Sequence, residues 1–471
     1  MAKPPGGTPT VNAAKALMKK MGQLNERSLD GEFAREFETR WRYNADEGYW
    51  LQWVGTHWAR NQTLQFLDAA GHYVAQLAQL FRRLDDITKT EAVRFQGQRA
   101  VASIEKICRG LPMFMARNVL FDADPFLLGT PGGTVDLRTG ELFLADPEDF
   151  ITVLAPVTPA PEGTPLGPQF KAFLAAITGN DEDFEKTLQQ WAGISATGSS
   201  RDQRILFLYG SGGNGKGVFL RTLAGLLGDH AVNAPRDMLM LEKYSQHATH
   251  LVDVLRARMA LATEVDDDAT WDTALVKDIT GGDAMSVNRM RQDPFRLLAR
   301  CSVTISGNKK PALKGIDEAV RRRFLVATFV LRLTPDMVKT DLEQAFIRDE
   351  GPAIMRWIID GAVQRENEGK LHVAKVISED TADYFAEEDV LGDFIAQYME
   401  PVSEALDPPQ KVRTSDVFAT WKAFCRASGR AFGAQNSFTT AMKAAGVMYA
   451  RTMDGRYFLH YNLRLTPKDL D

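Results

Sequence analysis

Cysteine is scarce in this chain. Only Cys108, Cys301 and Cys425 occur in 471 residues, far apart and without C-x-x-C spacing. That usage argues against a disulfide framework and a structural zinc site, and suits a reducing, cytoplasmic compartment. No apolar run approaches the roughly 20 residues of a membrane helix. The start, Met1-Ala-Lys-Pro-Pro-Gly-Gly-Thr-Pro, has no apolar core, so residues 1–25 read as a flexible leader rather than a signal peptide. Internal repeats and heptads are absent as well. Positive charge does not dominate: 56 Lys and Arg face 61 Asp and Glu, a net charge of −5. A whole-surface nucleic-acid binder is therefore disfavoured, and any such binding requires a local patch. The length exceeds one ordinary core, so about two to four domains are expected.

What the chain does have is Gly210-Ser-Gly-Gly-Asn-Gly-Lys216-Gly217, with the G-x-x-x-x-G-K spacing of a phosphate-binding loop. The apolar run Ile205–Tyr209 precedes it, and Val218–Leu227 follows with helical spacing. In a strand–loop–helix context, Gly210, Gly212, Gly213, Asn214 and Gly215 let backbone N–H groups wrap a triphosphate. The helix N-terminus adds a favourable dipole, and Lys216 reaches the terminal phosphates. ATP is the expected cofactor, with Mg²⁺. Gly217 departs from the pattern, because a Ser or Thr hydroxyl normally ligates Mg²⁺ there.

Three more segments extend this site. Arg258–Glu264 is an apolar strand ending in an acid, followed by Asp266, Asp267 and Asp268. Glu264 is the candidate for activating water and holding the metal. Cys301–Asn308 is a β-branched strand ending in an amide, and an Asn beside a γ-phosphate can position water without adding charge. Asp317–Arg323 places Arg321, Arg322 and Arg323 before another apolar strand. A guanidinium from a neighbouring subunit is a standard stabiliser of phosphoryl transfer; the bland alternative is a basic surface turn. From Arg289 to Arg323 the chain also carries Arg291, Arg296, Arg300, Lys309, Lys310, Lys314, Arg321 and Arg322, opposed only by Asp293, Asp317 and Glu318.

The pattern predicts a multi-domain α/β protein. After the leader, residues 26–155 read as a mostly helical N-terminal domain. Tyr49–Trp58 forms a small hairpin there, and its aromatics serve as packing core because nothing basic is interleaved with them. Residues 156–168 are a Pro/Gly-rich linker. Residues 169–380 hold the alternating strands and helices of a P-loop ATPase with a mostly parallel sheet. In 381–471, helices at Ser415–Arg426 and Ser437–Ala445 precede a hairpin turning at Asp454-Gly455, a winged-helix-like order. Asp122 and Asp124 mimic a primase D-x-D pair, but no histidine motif follows, and they read as a turn.

The ordered set of glycine loop, Glu264, Lys277-Asp-Ile-Thr-Gly-Gly-Asp283, Asn308-Lys-Lys-Pro311 and Asp317…Arg323 resembles the superfamily 3 helicases, an AAA+ branch. The likeness is greatest to phage and plasmid primase-type helicases and their poxvirus relatives. Upstream, Tyr49–Trp58, Gly133–Glu141 and Leu188–Gly193 are similar to the domain that precedes the ATPase in that family. The resemblance implies a homo-oligomeric ring, a hexamer, that moves 3′→5′ along DNA. It further implies that Asn308 senses the γ-phosphate and that Arg322 or Arg323 is the finger across a subunit interface. Ser286–Leu297 would be a pore hairpin, with Arg289, Arg291 and Lys277 on DNA phosphates. An ATP-switched origin-binding initiator or loader is the alternative function. A small-molecule kinase needs neither finger nor hairpin. If priming occurs in the same system, a separate polypeptide performs it.

Overall fold

The computed structural model describes residues 33–83, 97–241, 248–263, 269–288, 294–313, 316–329, 341–403, 406, 408–427 and 432–464. Strands β1 (Trp41–Asn44), β2 (Tyr49–Trp53) and β3 (Trp58–Arg60) form an antiparallel meander, with β4 (Met115–Ala116) added in parallel to β1. The predicted hairpin is present, pairing Trp53 with Trp58 and Leu51 with Arg60. Helices α1 (Gln65–Arg83) and α2 (Gln98–Cys108) cover one face. Trp50 lies flat on Phe66 of α1, ring centroids 3.7 Å apart, so the aromatics are indeed core. "Mostly helical" is corrected to mixed: aromatic–polar alternation through residues 41–60 favours a pleated, half-buried surface over a helix.

A second sheet contains β5 (Leu127–Thr130), β6 (Gly133–Asp136) and β7 (Leu142–Phe143). Its apolar face does not join the first unit. Phe126, Leu128, Val135 and Leu137 share one cluster with Phe170, Trp191, Leu223 and Trp357 of the large core. The boundary expected at 155 therefore falls inside a single core. Nor is 156–168 a free linker. The Ala160 N–H donates to the Pro352 carbonyl at 2.8 Å, and Val157 packs on the cluster.

The large core is built from α3 (Pro168–Thr178), α4 (Glu182–Ala196), β8 (Ile205–Tyr209), α5 (Lys216–Leu227), β9 (Ala231–Asn233), α6 (Ala248–Arg256), β10 (Met259–Thr263) and α7 (Thr273–Gly281). The chain continues through β11 (Ala284–Val287), β12 (Phe295–Leu298), β13 (Ser302–Gly307), α8 (Glu318–Arg321), β14 (Phe324–Thr328), α9 (Leu342–Glu368) and α10 (Lys375–Glu388). Five strands make one sheet in the order β14-β8-β13-β10-β9, every neighbouring pair parallel. Helices cover both faces, which is why the central strands read as continuous apolar runs. Helix α4 crosses α9 in backbone contact: a Cβ on Gly193 would lie 2.1 Å from the Ala362 nitrogen, and one on Gly361 would lie 2.1 Å from the Gln189 oxygen.

Tyr384 and Phe385 of α10 belong to the sheet's core, so the C-terminal unit begins near residue 389 rather than 381. It comprises α11 (Val390–Tyr398), β15 (Met399–Pro401), β16 (Lys411–Arg413), α12 (Thr414–Ala427), α13 (Gln435–Ala444), β17 (Tyr449–Thr452), β18 (Gly455–Leu459) and β19 (Tyr461–Leu463). Both expected helices and the hairpin at Asp454-Gly455 are present, and β16 joins the hairpin as a third strand. Among the described residues no helix is long and apolar enough to cross a membrane.

Candidate nucleotide site at the ends of the parallel strands

The loop after β8 needs its glycines for different reasons. Gly213 and Gly215 adopt φ of 77° and 87°, the left-handed region that side chains disfavour. At Gly215 a Cβ would also meet Ile177 at 2.7 Å. At Gly210 it would approach the Asn214 amide to 2.3 Å and the Phe329 carbonyl to 2.5 Å. Gly212 and Gly213, by contrast, face open space. Asn214 is buried and fixes the loop by donating from Nδ2 to the Phe329 oxygen at 2.9 Å.

Lys216 opens α5 and is only 6% exposed. Its Nζ donates to Gly210 O at 2.7 Å and Asn214 Oδ1 at 2.9 Å, with Ser211 O and Asn308 Oδ1 each at 3.4 Å. All four partners are neutral oxygens. Burial lowers the lysine's pKa to about 8. A desolvated ammonium without a counter-charge, beside an open glycine turn at a helix start, has the charge and the neighbouring donors that an anion requires. A triphosphate fits these residues. Mg²⁺ has no protein ligand at 217, where Gly217 has no side chain and the Arg221 guanidinium lies over the position. Glu264, the proposed metal ligand, lies outside the described residues, as do Asp266, Asp267 and Asp268. Among the described residues no three His, Cys, Asp or Glu side chains gather as a metal site.

Strand register explains why distant segments converge. Tyr209 pairs with Gly307, and Thr263 pairs with Ser306. The glycine loop, Asn308 and the end of β10 therefore lie side by side at the carboxyl ends of the three inner strands. Asn308 is exposed, and its Oδ1 faces Lys216. Lys310, two residues on, is occupied elsewhere by Glu387 at 2.8 Å.

The arginines divide by burial. Arg323 is 7% exposed, donating from Nε to Thr280 Oγ1 at 2.9 Å and from Nη1 to Ala319 O at 2.7 Å. Such a side chain is turned into its own subunit, in contrast to the outward reach expected of a finger. Arg321 pairs with Asp389 at 3.0 Å. Arg322 is exposed, and its side chain has no hydrogen bond or ion pair to another described residue. It alone of the two candidates is free to reach outward.

Helix α7 stops at Gly282, φ 80°, and the chain turns into the predicted hairpin. Strands β11 and β12 pair Ser286 with Arg296 and Val287 with Phe295. Arg289 and Arg291 lie outside the described residues. Lys277, expected on DNA, instead donates to Asp317 at 2.7 Å, and that hydrogen bond holds the Asp317 carboxyl below its usual range. Arg300 likewise turns inward to the Asp122 carbonyl at 2.7 Å. The basic run is thus not one patch, since much of it serves packing. Arg296, exposed on the hairpin stem, joins the candidate site, and nothing in the local pattern sets it apart from its basic neighbours. The Asp pair reads as a turn, as expected: Asp122 accepts from the Thr152 N–H at 2.9 Å, and Asp124 pairs with Arg138 at 2.7 Å.

Comparison with known proteins adds independent observations. The D5 N terminal like family model matches residues 32–179, and that of a family of unknown function (DUF5906) matches residues 208–323. "Putative helicase L207/L206" of Acanthamoeba polyphaga mimivirus is 23% identical over 300 residues, covering 59% of this chain. The chain spans 31% of the length of that curated relative. Among solved structures, an apo structure of the NrS-1 C terminal region is similar with a TM-score of 0.46 and 12% identity, covering 89% of this chain and 95% of that one. The A form apo structure of the same region gives 0.45 and 13%, covering 74% and 72%.

Proposed function

We propose that this chain, a superfamily 3 helicase-type protein of the phage and viral kind, hydrolyses ATP to drive a ring along DNA during replication of a phage, plasmid or integrated element. One observation carries the reading: Lys216 of the glycine loop faces Asn308 of the adjacent parallel strand at 3.4 Å. Loop amides and Lys216 would hold the phosphates, with Asn308 orienting water at the γ-phosphate and Glu264 acting as base. Arg322 would complete the site of a neighbouring subunit, which makes catalysis depend on assembly. The β11–β12 hairpin would grip the single strand through Arg296 on its stem, together with Arg289 and Arg291 of the segment that joins its strands in sequence. A ring of such cations follows a phosphate backbone without reading sequence. Translocation 3′→5′ and a hexamer are part of the proposal. The C-terminal unit reads as a winged helix, offering Gln435, Asn436, Thr440 and Lys443 on the exposed side of α13 to duplex DNA.

Fork unwinding with ATP tests this, comparing the wild type with Lys216→Ala and Arg291→Ala. Both substitutions are expected to abolish unwinding, Arg291→Ala while keeping nucleotide binding. Normal unwinding by both variants would sink the assignment. Nucleotide-dependent origin binding without unwinding by the wild type would favour the initiator or loader.

A further inference from the structure

Gly217 leaves a gap in the loop's chemistry, and the structure shows what stands there. A Cβ built on Gly217 would lie 2.9 Å from Arg221 Nη1, 3.6 Å from its Cζ and 3.8 Å from its Nη2. Arg221 is four residues on in α5, and helical side chains lean back over the preceding turn, which brings its head beside Gly217 in the first turn of the helix. In phosphate-binding loops the side chain at this position points to the metal and the β- and γ-phosphates. The guanidinium therefore occupies the place that a metal-ligating hydroxyl normally takes. Its Nε is held by Glu343 Oε1 at 3.0 Å, at the start of α9. No described residue accepts from Nη1 or Nη2, so the outer N–H groups of the fork are unclaimed. Glu343 thus fixes the Nε edge of a half-exposed guanidinium whose other edge lies beside Gly217.

We propose that Arg221 is a phosphate ligand of this nucleotide site, substituting in cis for part of the charge neutralisation that other such loops obtain from a hydroxyl-bound Mg²⁺. The idea rests on the nucleotide-site reading above. A planar fork fixed at Nε presents two parallel donors, the geometry that matches phosphate oxygens. A positive head beside Gly217 also repels a divalent cation from that side. The ligand class is a nucleoside polyphosphate bound with weak dependence on divalent metal.

Equilibrium binding of a non-hydrolysable β,γ-imido ATP analogue to the full chain, in excess Mg²⁺ and in EDTA, tests this. The wild type is expected to lose less than about threefold affinity in EDTA. Arg221→Ala is expected to lose about tenfold more, the weight of one charge-assisted contact. Adding Gly217→Ser to Arg221→Ala is expected to restore binding in Mg²⁺ but not in EDTA. Glu343→Gln separates a ligand from a structural pin. The Gln amide oxygen still accepts from Nε and keeps the fork in place, so affinity stays at the wild-type level if Arg221 binds phosphate, and falls as in Arg221→Ala if the charged pair merely anchors α9. Wild-type EDTA binding by Arg221→Ala, or equal losses in Arg221→Ala and Glu343→Gln, would overturn the proposal. Lys216→Ala, measured alongside, tells two failures apart. If it too binds normally the nucleotide site is wrong, whereas if it alone fails to bind only the role of Arg221 is lost.

Discussion

At the scale of single residues, burial decides function more than residue type does. Lys216 and Arg323 are both buried cations, but their partners differ. Arg323 donates from Nε and Nη1 to Thr280 and Ala319 of its own subunit, whereas Lys216 rests on neutral oxygens that a triphosphate can replace. The depressed pKa of Lys216, about 8, gives a signed expectation. Without nucleotide the ammonium is lost as pH rises through 8, while a bound triphosphate favours the charged form. Nucleotide affinity should therefore fall about tenfold between pH 7 and pH 9, with proton uptake on binding measurable by calorimetry in buffers of different ionisation enthalpy. A flat pH profile would overturn this expectation. Arg323→Ala should cost about 2 kcal/mol in urea unfolding, because it removes a buried charged donor. Arg322→Ala should leave unfolding unchanged and lower ATP turnover. Sequence could name three adjacent arginines; only packing distinguished them.

At the scale of elements, the motifs that looked like family signatures acquire mechanical causes. Leu188–Gly193 ends in a glycine because α4 and α9 touch backbone to backbone there, and Gly361 is its counterpart. Gly193→Ala should destabilise the core by about 3 kcal/mol, read as a shift in denaturant midpoint, since overpacking forces the helices apart. The segment 156–168 looked like a linker because Pro and Gly dominate it. It is instead a strap, and beyond its end the Glu350 carboxylate of α9 accepts the N–H groups of Gln169 and Phe170 at 2.9 and 2.8 Å. That contact caps α3 from 180 residues away in sequence. Glu350→Ala should lower the melting temperature, by about 1 to 2 kcal/mol of lost capping at a buried helix start. No local pattern announces a cap supplied from such a distance.

For the whole molecule, the proposed engine requires two copies per site. Lys216→Ala and Arg322→Ala should each be inactive alone. Mixed in equal amounts, they should regain about a quarter of the ATP turnover, since random neighbours pair an intact loop with an intact finger at that frequency. Absence of recovery would argue that Arg322 does not act across an interface. The sequence by itself determined the glycine loop, the strand before it and the helix after it, the hairpin after Thr280-Gly-Gly-Asp283 and the helix–helix–hairpin order at the C-terminus. Each is a local pattern of apolar period, turn chemistry or charge, and local patterns are what a sequence displays directly. Tertiary structure alone decided that Asn308 faces Lys216, because strand register joins residues 92 apart. It decided that Lys277 pairs with Asp317 and Arg323 turns inward, that β5–β7 belongs to the large core, and that Arg221 stands over Gly217. All four depend on which apolar faces meet and which charges are left unpaired once they have met, and packing settles that at a distance along the chain.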